Sequence, residues 1–153
     1  MRLVGSTLSL ALMALASAPA PSACDCVRLE PLSPDVRREA PVIFSGTVVE
    51  IVERNEHTTT TSATSATTSV RPLERRVVFR VIAGWRGVTG ERVGIDAEIS
   101  DCMVPFEIGE AYLVFANTAG KPRPWTSICT RTTPLARAAA ILRLLGAPAY
   151  RGS

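Results

Sequence analysis

All four cysteines of the chain, Cys24, Cys26, Cys102 and Cys129, lie beyond an N-terminal export pattern. An even set of cysteines in an oxidising compartment is read as two disulfides. Pairing Cys24 with Cys26 would strain a very short loop, so both are expected to reach far along the chain, and the choice between the two remaining connectivities stays open. Each long-range bridge closes a loop of roughly 80 to 100 residues, for which chain entropy gives about 4–5 kcal/mol before strain is deducted. Together they pin a chain end that would otherwise fray. A zinc site is the alternative use of four cysteines. No CxxC pair is present, however, and the lone His57 lies in a polar tract.

Residues 1–23 read as a secretory signal peptide. Arg2 supplies the cationic start, Leu8 to Ala16 the apolar centre, and "SAPAPSA" the small-residue exit. A membrane span needs about 20 apolar residues, and Pro19 and Pro21 cut this run short. No second apolar run follows, so no membrane span is expected. Cleavage after Ala23 makes Cys24 the first residue of the mature chain. A lipid anchor at Cys24 is the minor alternative, with Pro21 standing where lipoprotein signals usually carry Leu. The expected location is secreted or periplasmic.

The length of 153 residues suits one domain. The formal charge of +3 is dispersed, and no run of Lys or Arg exceeds two, which argues against a nucleic-acid partner. The chain carries no HExxH, GxxxxGK[ST], GxSxG or GxGxxG, so no cofactor is expected. Its candidates for acid–base chemistry are Asp96, Glu98 and Asp101. They read as a solvated strand end without a nucleophile–base pair, and the chain is not expected to be an enzyme.

"SPDVRREAP" suggests a short N-terminal helix with Ser33 as cap and Pro34 in first position, stopped before Pro41. Val42 to Glu53 is rich in β-branched residues and broken by Gly46, which suggests a strand with a bulge or bend. "HTTTTSATSATTS" has no apolar period, and a flexible Thr/Ser-rich loop is expected over 54–72, with His57 exposed. "RRVVFRVIAGW" places Val77, Phe79 and Val81 on one face of a second strand. "ERVGIDAEI" is a third, Ala111 to Asn117 a central fourth, and "WTSICT" a short fifth. "TTPLARAAAILRLLG" predicts a helix capped by Thr133, opened by Pro134 and ended by Gly146. Leu135, Ala138, Leu142 and Leu145, with Ile141 alongside, form its apolar stripe.

The expected fold is therefore mostly β: a five-stranded OB-like barrel with a short N-terminal helix and a C-terminal helix, stapled by two disulfides. Nucleic-acid binding by such barrels needs stacking aromatics in a basic groove. The eight aromatic residues sit mostly within apolar strand runs and read as core.

The Cys-x-Cys start "CDC", "APVIFSGTVVEI", "VVFRVIAGWRG", "DCMVPFEIGEAYLVFA" and "SICTRTTPLARA" jointly resemble the tissue inhibitor of metalloproteinases and netrin-like module family, in its short bacterial form. The resemblance covers Cys24 to Leu145 and implies a domain over 24–146, leaving 147–153 as a tail. It implies pairing of Cys24 with Cys102 and of Cys26 with Cys129. In the animal inhibitors the first cysteine's free α-amine and carbonyl chelate the catalytic zinc of the target protease. An α-amine has a reference pKa of about 7.7–8.0, so a useful fraction can donate its lone pair near neutral pH. Carried over, Cys24 is the zinc-chelating residue, and Asp25, with Cys26 beside it, is offered to the protease's specificity pocket. The implied partner is a zinc metalloprotease. The alternative is a netrin-like module that binds another extracellular protein and has no inhibitory activity.

Overall fold

The computed structural model describes Cys24, Cys26, residues 31–61 and residues 64–153. The expected signal segment 1–23 and Asp25 lie outside the described residues.

Strand β1, Val42–Thr61, and strand β2, Ala66–Arg86, form one long antiparallel hairpin. Its ladder runs from Ile43↔Arg86 to Thr61↔Ala66 and is broken by four register shifts. A bulge bends its strand and increases the local twist, so four of them curl the ribbon. One shift falls between Ser45 and Gly46, the bulge expected there. A Cβ on Gly46 would lie 2.9 Å from the Arg80 carbonyl oxygen and 3.1 Å from Phe79 Cβ, so only glycine lets the strands approach this closely.

The Thr/Ser tract expected as a flexible loop over 54–72 is paired strand instead over 54–61 and 66–72. Glu56↔Arg71, Thr58↔Ser69 and Thr59↔Thr68 continue the ladder, and Thr59 and Thr68 hydroxyls meet at 3.2 Å. An apolar period reports burial, and among the described side chains of 57–70 none is buried. A two-stranded ribbon satisfies its backbone internally, and β-branched threonine favours extended backbone without needing a core. The result is an exposed arm. Pro72, which cannot donate to a ladder, sits on it where no third strand would need its N–H.

Strands β3 (Arg92–Ala97), β4 (Ala111–Ala116), β5 (Trp125–Thr126), β6 (Thr133–Pro134) and β7 (Tyr150–Arg151) complete the sheet. The order is β5-β3-β2-β1-β4-β6, with β7 added to β2. The sheet is a curled, open half-barrel with two more short strands than the five expected. Most of "WTSICT" leaves the sheet: after β5, Ser127 caps a 3-10 turn at Ile128–Thr130. β5 runs parallel to β3, and Trp125 also exchanges backbone hydrogen bonds of 2.8 and 2.9 Å with Asn117, just past β4.

β4 shows how one strand serves two cores. Tyr112, Val114 and Ala116 face the inside of the curl with Phe44, Phe79, Ile95 and Phe106. Leu113 and Phe115 point the other way, toward Ile43, Val36, Ala138 and Leu145. Edge-to-face ring pairs link Phe44, Phe79, Phe106 and Tyr112, with centroids 4.8–5.4 Å apart.

Both expected helices need correction. Pro34–Arg38 is a five-residue 3-10 helix and not an α-helix, although Ser33 does cap it. With Pro41 close behind, the segment has room only for the tighter i→i+3 bonds. At the C-terminus, Thr133 and Pro134 belong to β6, pairing with Leu113 and Tyr112. A 3-10 turn at Leu135–Arg137 follows, and the α-helix, α1, spans only Ala139–Leu145. The open edge of β4 wins over the cap: Phe115 N–H donates to Thr132 Oγ1 at 3.0 Å and draws this stretch into the sheet. Gly146 ends α1 as expected, its N–H donating to the Leu142 carbonyl at 3.0 Å. Arg37 donates to the carbonyls of Leu145 and Ala147, binding the 3-10 helix to the helix end.

Candidate functional site

The structure joins Cys24 to Cys102 and Cys26 to Cys129, the pairing implied by the family resemblance. Cys102 lies in the connection from β3 to β4, and Cys129 lies in the 3-10 turn after β5. These two loops are held side by side without the bridges. Ile128 N–H donates to the Cys102 carbonyl at 2.9 Å, Cys102 N–H to Ser100 Oγ at 3.1 Å, and Cys129 N–H to Ser127 Oγ at 3.2 Å. That adjacency lets two cysteines one residue apart reach two separate loops. Cys24 and Cys26 are both half-buried. Cys24 Sγ stands 3.9 Å from Cys26 Sγ and 3.9 Å from Cys129 Sγ, so the two bridges touch.

Beside them a cleft of about 330 Å³ is lined by Glu53, Pro72, Arg75, Ile99, Ser100 and Met103. It connects the root of the arm to the loop that carries Cys102. The Arg75 side chain is only 15% exposed and lies 3.4 Å from Glu53. It also reaches the Phe106 carbonyl at 3.5 Å and touches Met103 Sδ. This inward arginine was not singled out in the sequence. The alternation Arg75, Val77, Phe79, Val81 carries the signal, since it sets a charge on the core face of β2.

The other sequence candidates lie apart from the cysteines' chemistry. Asp96 accepts from Arg123 Nε with both oxygens at 3.1 Å, and Arg123 also binds Glu74, which in turn pairs with Arg54. Glu98 pairs with Lys121 at 3.5 Å, and Lys121 stands 4.8 Å over the Trp125 ring. Asp101 is exposed in the turn before Cys102, and His57 is exposed on the arm. Asp96, Glu98 and Glu74, without Asp101, line a charged cleft of about 470 Å³ with Arg71 and Arg54.

Tyr112 is buried among the inner-core side chains. Burial pushes its phenol up from the usual value near 10.0. Its hydroxyl donates to the Pro105 carbonyl at 3.0 Å and accepts from Glu107 N–H at 3.2 Å, fixing the chain that follows Cys102. A second buried polar group, the hydroxyls of Thr126, Thr130 and Thr132, ties β5 and the Cys129 turn to the Phe115 carbonyl. The chain matches no protein-family model and no curated protein.

Proposed function

We propose that the chain is an exported protein of the metalloprotease-inhibitor type, built on an OB-like barrel, with a mature N-terminus at Cys24. The double tether of Cys24, through its own bridge to Cys102 and its contact with the Cys26–Cys129 bridge, carries this reading. A free α-amine and carbonyl fixed in this way meet a metal with little ordering cost. They take the open coordination position of the protease zinc, where the attacking water would otherwise sit. Asp25 then enters the specificity pocket. Burying an unpaired carboxylate is costly, so the fitting target has a cationic pocket.

The test begins with the N-terminus of the exported protein by mass spectrometry, then inhibition of a panel of zinc endopeptidases. The chain starting at Cys24 should inhibit at least one member. One Ala added before Cys24 should abolish inhibition and leave the fold intact. Asp25→Thr should shift preference toward proteases with apolar pockets. Equal inhibition by the extended form, or an acylated Cys24, overturns chelation.

The arm favours a second reading, a netrin-like module that binds another protein without touching a metal. Val52, Val70 and Leu73 are 47%, 55% and 50% exposed on it, an apolar surface with no use in the domain's own core. Shortening the arm would then remove partner binding, while the Ala extension would not.

A further inference from the structure

The contact between the two bridges has a second chemical meaning. We propose that the same four cysteines, when reduced, form a thiolate site for a thiophilic divalent cation of the zinc type. Four sulfurs about 2.3 Å from a tetrahedral zinc stand about 3.8 Å from one another. Cys24 Sγ already stands 3.9 Å from Cys26 Sγ and 3.9 Å from Cys129 Sγ. These three sulfurs all lie within 4.8 Å of each other, and Cys102 Sγ is one bond away from Cys24. The spacing of Cys24 from the two sulfurs of the other bridge is therefore that of neighbouring thiolates on one metal, and Cys102 joins as the fourth ligand once its bond to Cys24 is broken. Only the sulfurs within each bridge must part. Their Cα atoms, 5.2 and 5.4 Å apart, leave room to do so by side-chain rotation.

The two loops that carry Cys102 and Cys129 do not depend on the disulfides for their shape. The hydrogen bonds from Ile128 to Cys102 and from the two loop backbones to Ser100 and Ser127 hold both loops in place. Among the described residues Cys24, Cys26 and Cys129 are the one cluster of three or more Cys, His, Asp or Glu donors that converge on a point.

The chemistry balances with a dithiol as reductant. Two dithiols deliver four electrons and four protons, both S–S bonds break, and four thiols form. Zinc then displaces the thiol protons as it binds. In return, two small-molecule disulfides take four electrons, the protein bridges re-form, and the metal leaves. Metal and disulfides thus exclude each other, and either one holds Cys24 against the same two loops.

The experiment uses the full chain, reduced under argon, with Co²⁺ as the optical probe and Zn²⁺ as competitor. The reduced chain should take up one Co²⁺ with the intense visible bands of tetrahedral thiolate coordination, and Zn²⁺ should bleach them. The oxidised chain should show none. Cys24→Ser and Cys129→Ser should each weaken binding by about 100-fold, at least the loss that follows removal of an outer-shell partner. Val70→Ala, on the exposed arm and away from the sulfurs, should leave the cobalt spectrum unchanged. Absence of a tetrahedral spectrum, its appearance in the oxidised chain, or its persistence in guanidinium would each overturn the site.

Discussion

Tyr112 links a single hydroxyl to the placement of the Cys102 loop. Its phenol is raised because burial disfavours the phenolate, so the fold favours the protonated form. The sign follows: the unfolded chain ionises this group near pH 10, while the folded chain holds its proton to higher pH. Its contribution is complete below about pH 10 and is lost as pH rises through the folded value. Denaturant titrations at increasing alkaline pH should show the native protein losing stability faster than Tyr112→Phe. The variant should start lower at neutral pH by about 1 kcal/mol, for the lost bond to the Pro105 carbonyl. Equal slopes would mean that the phenol does not titrate with the fold. At this scale the sequence was legible where a residue had one role. Gly46 read as a bulge because glycine in a β-branched run has few other uses. Arg75 was not legible because its partner carbonyl comes from a loop far along the chain, nor were the Thr126, Thr130 and Thr132 hydroxyls, because they converge on the Phe115 carbonyl of another strand.

Leu145 is fully buried beneath α1, whereas Leu142 on the same stripe is half-buried. Leu145→Ala should therefore cost about 2–5 kcal/mol, and Leu142→Ala clearly less, as read by urea unfolding of the oxidised protein. Similar costs would place the two side chains equally in the core. The arm predicts the opposite. Beyond Ile51 and Val77 it adds nothing to either apolar cluster. Replacing 57–70 by Asn-Gly, which closes the Glu56↔Arg71 pair with a two-residue turn, should change stability by less than about 0.5 kcal/mol. A larger loss would show that the arm supports the curl. Strand positions were readable because alternation on β2 reports which face is buried, and the unbroken apolar run of β4 reports that both of its faces are. The arm was not, since its strands bury neither face. The start of α1 was also hidden: Thr133-Pro134 is a good helix opening locally, and only the presence of β4's edge makes it a strand.

Over the whole molecule, the sheet is open and its two apolar clusters are small, so the bridges carry much of the stability. Each long-range disulfide is worth about 2–5 kcal/mol against a total of about 5–15 kcal/mol. Reduction in the absence of metal should lower the denaturation midpoint sharply, and peptide mapping of the native protein should return only Cys24–Cys102 and Cys26–Cys129. Scrambled pairs in freshly purified protein would contradict the described connectivity. A mostly β fold with long-range bridges was legible from composition, spacing and patterning. The degree of closure was not, because it depends on bulge positions that only the paired register reveals. The two bridges also short-circuit the chain mechanically. A pull applied between Cys24 and Ser153 passes straight through Cys26 and Cys129, so only the segment after Cys129 can be drawn out, about 90 Å at full extension. The reduced chain would pay out about 450 Å between the same two points. The hairpin, the inner core and the charged cleft lie outside the loaded path, whereas β6, β7 and the Ala138 and Leu145 side of the second core lie on it, so a force on the N-terminus peels the C-terminal segment away and leaves the hairpin unloaded.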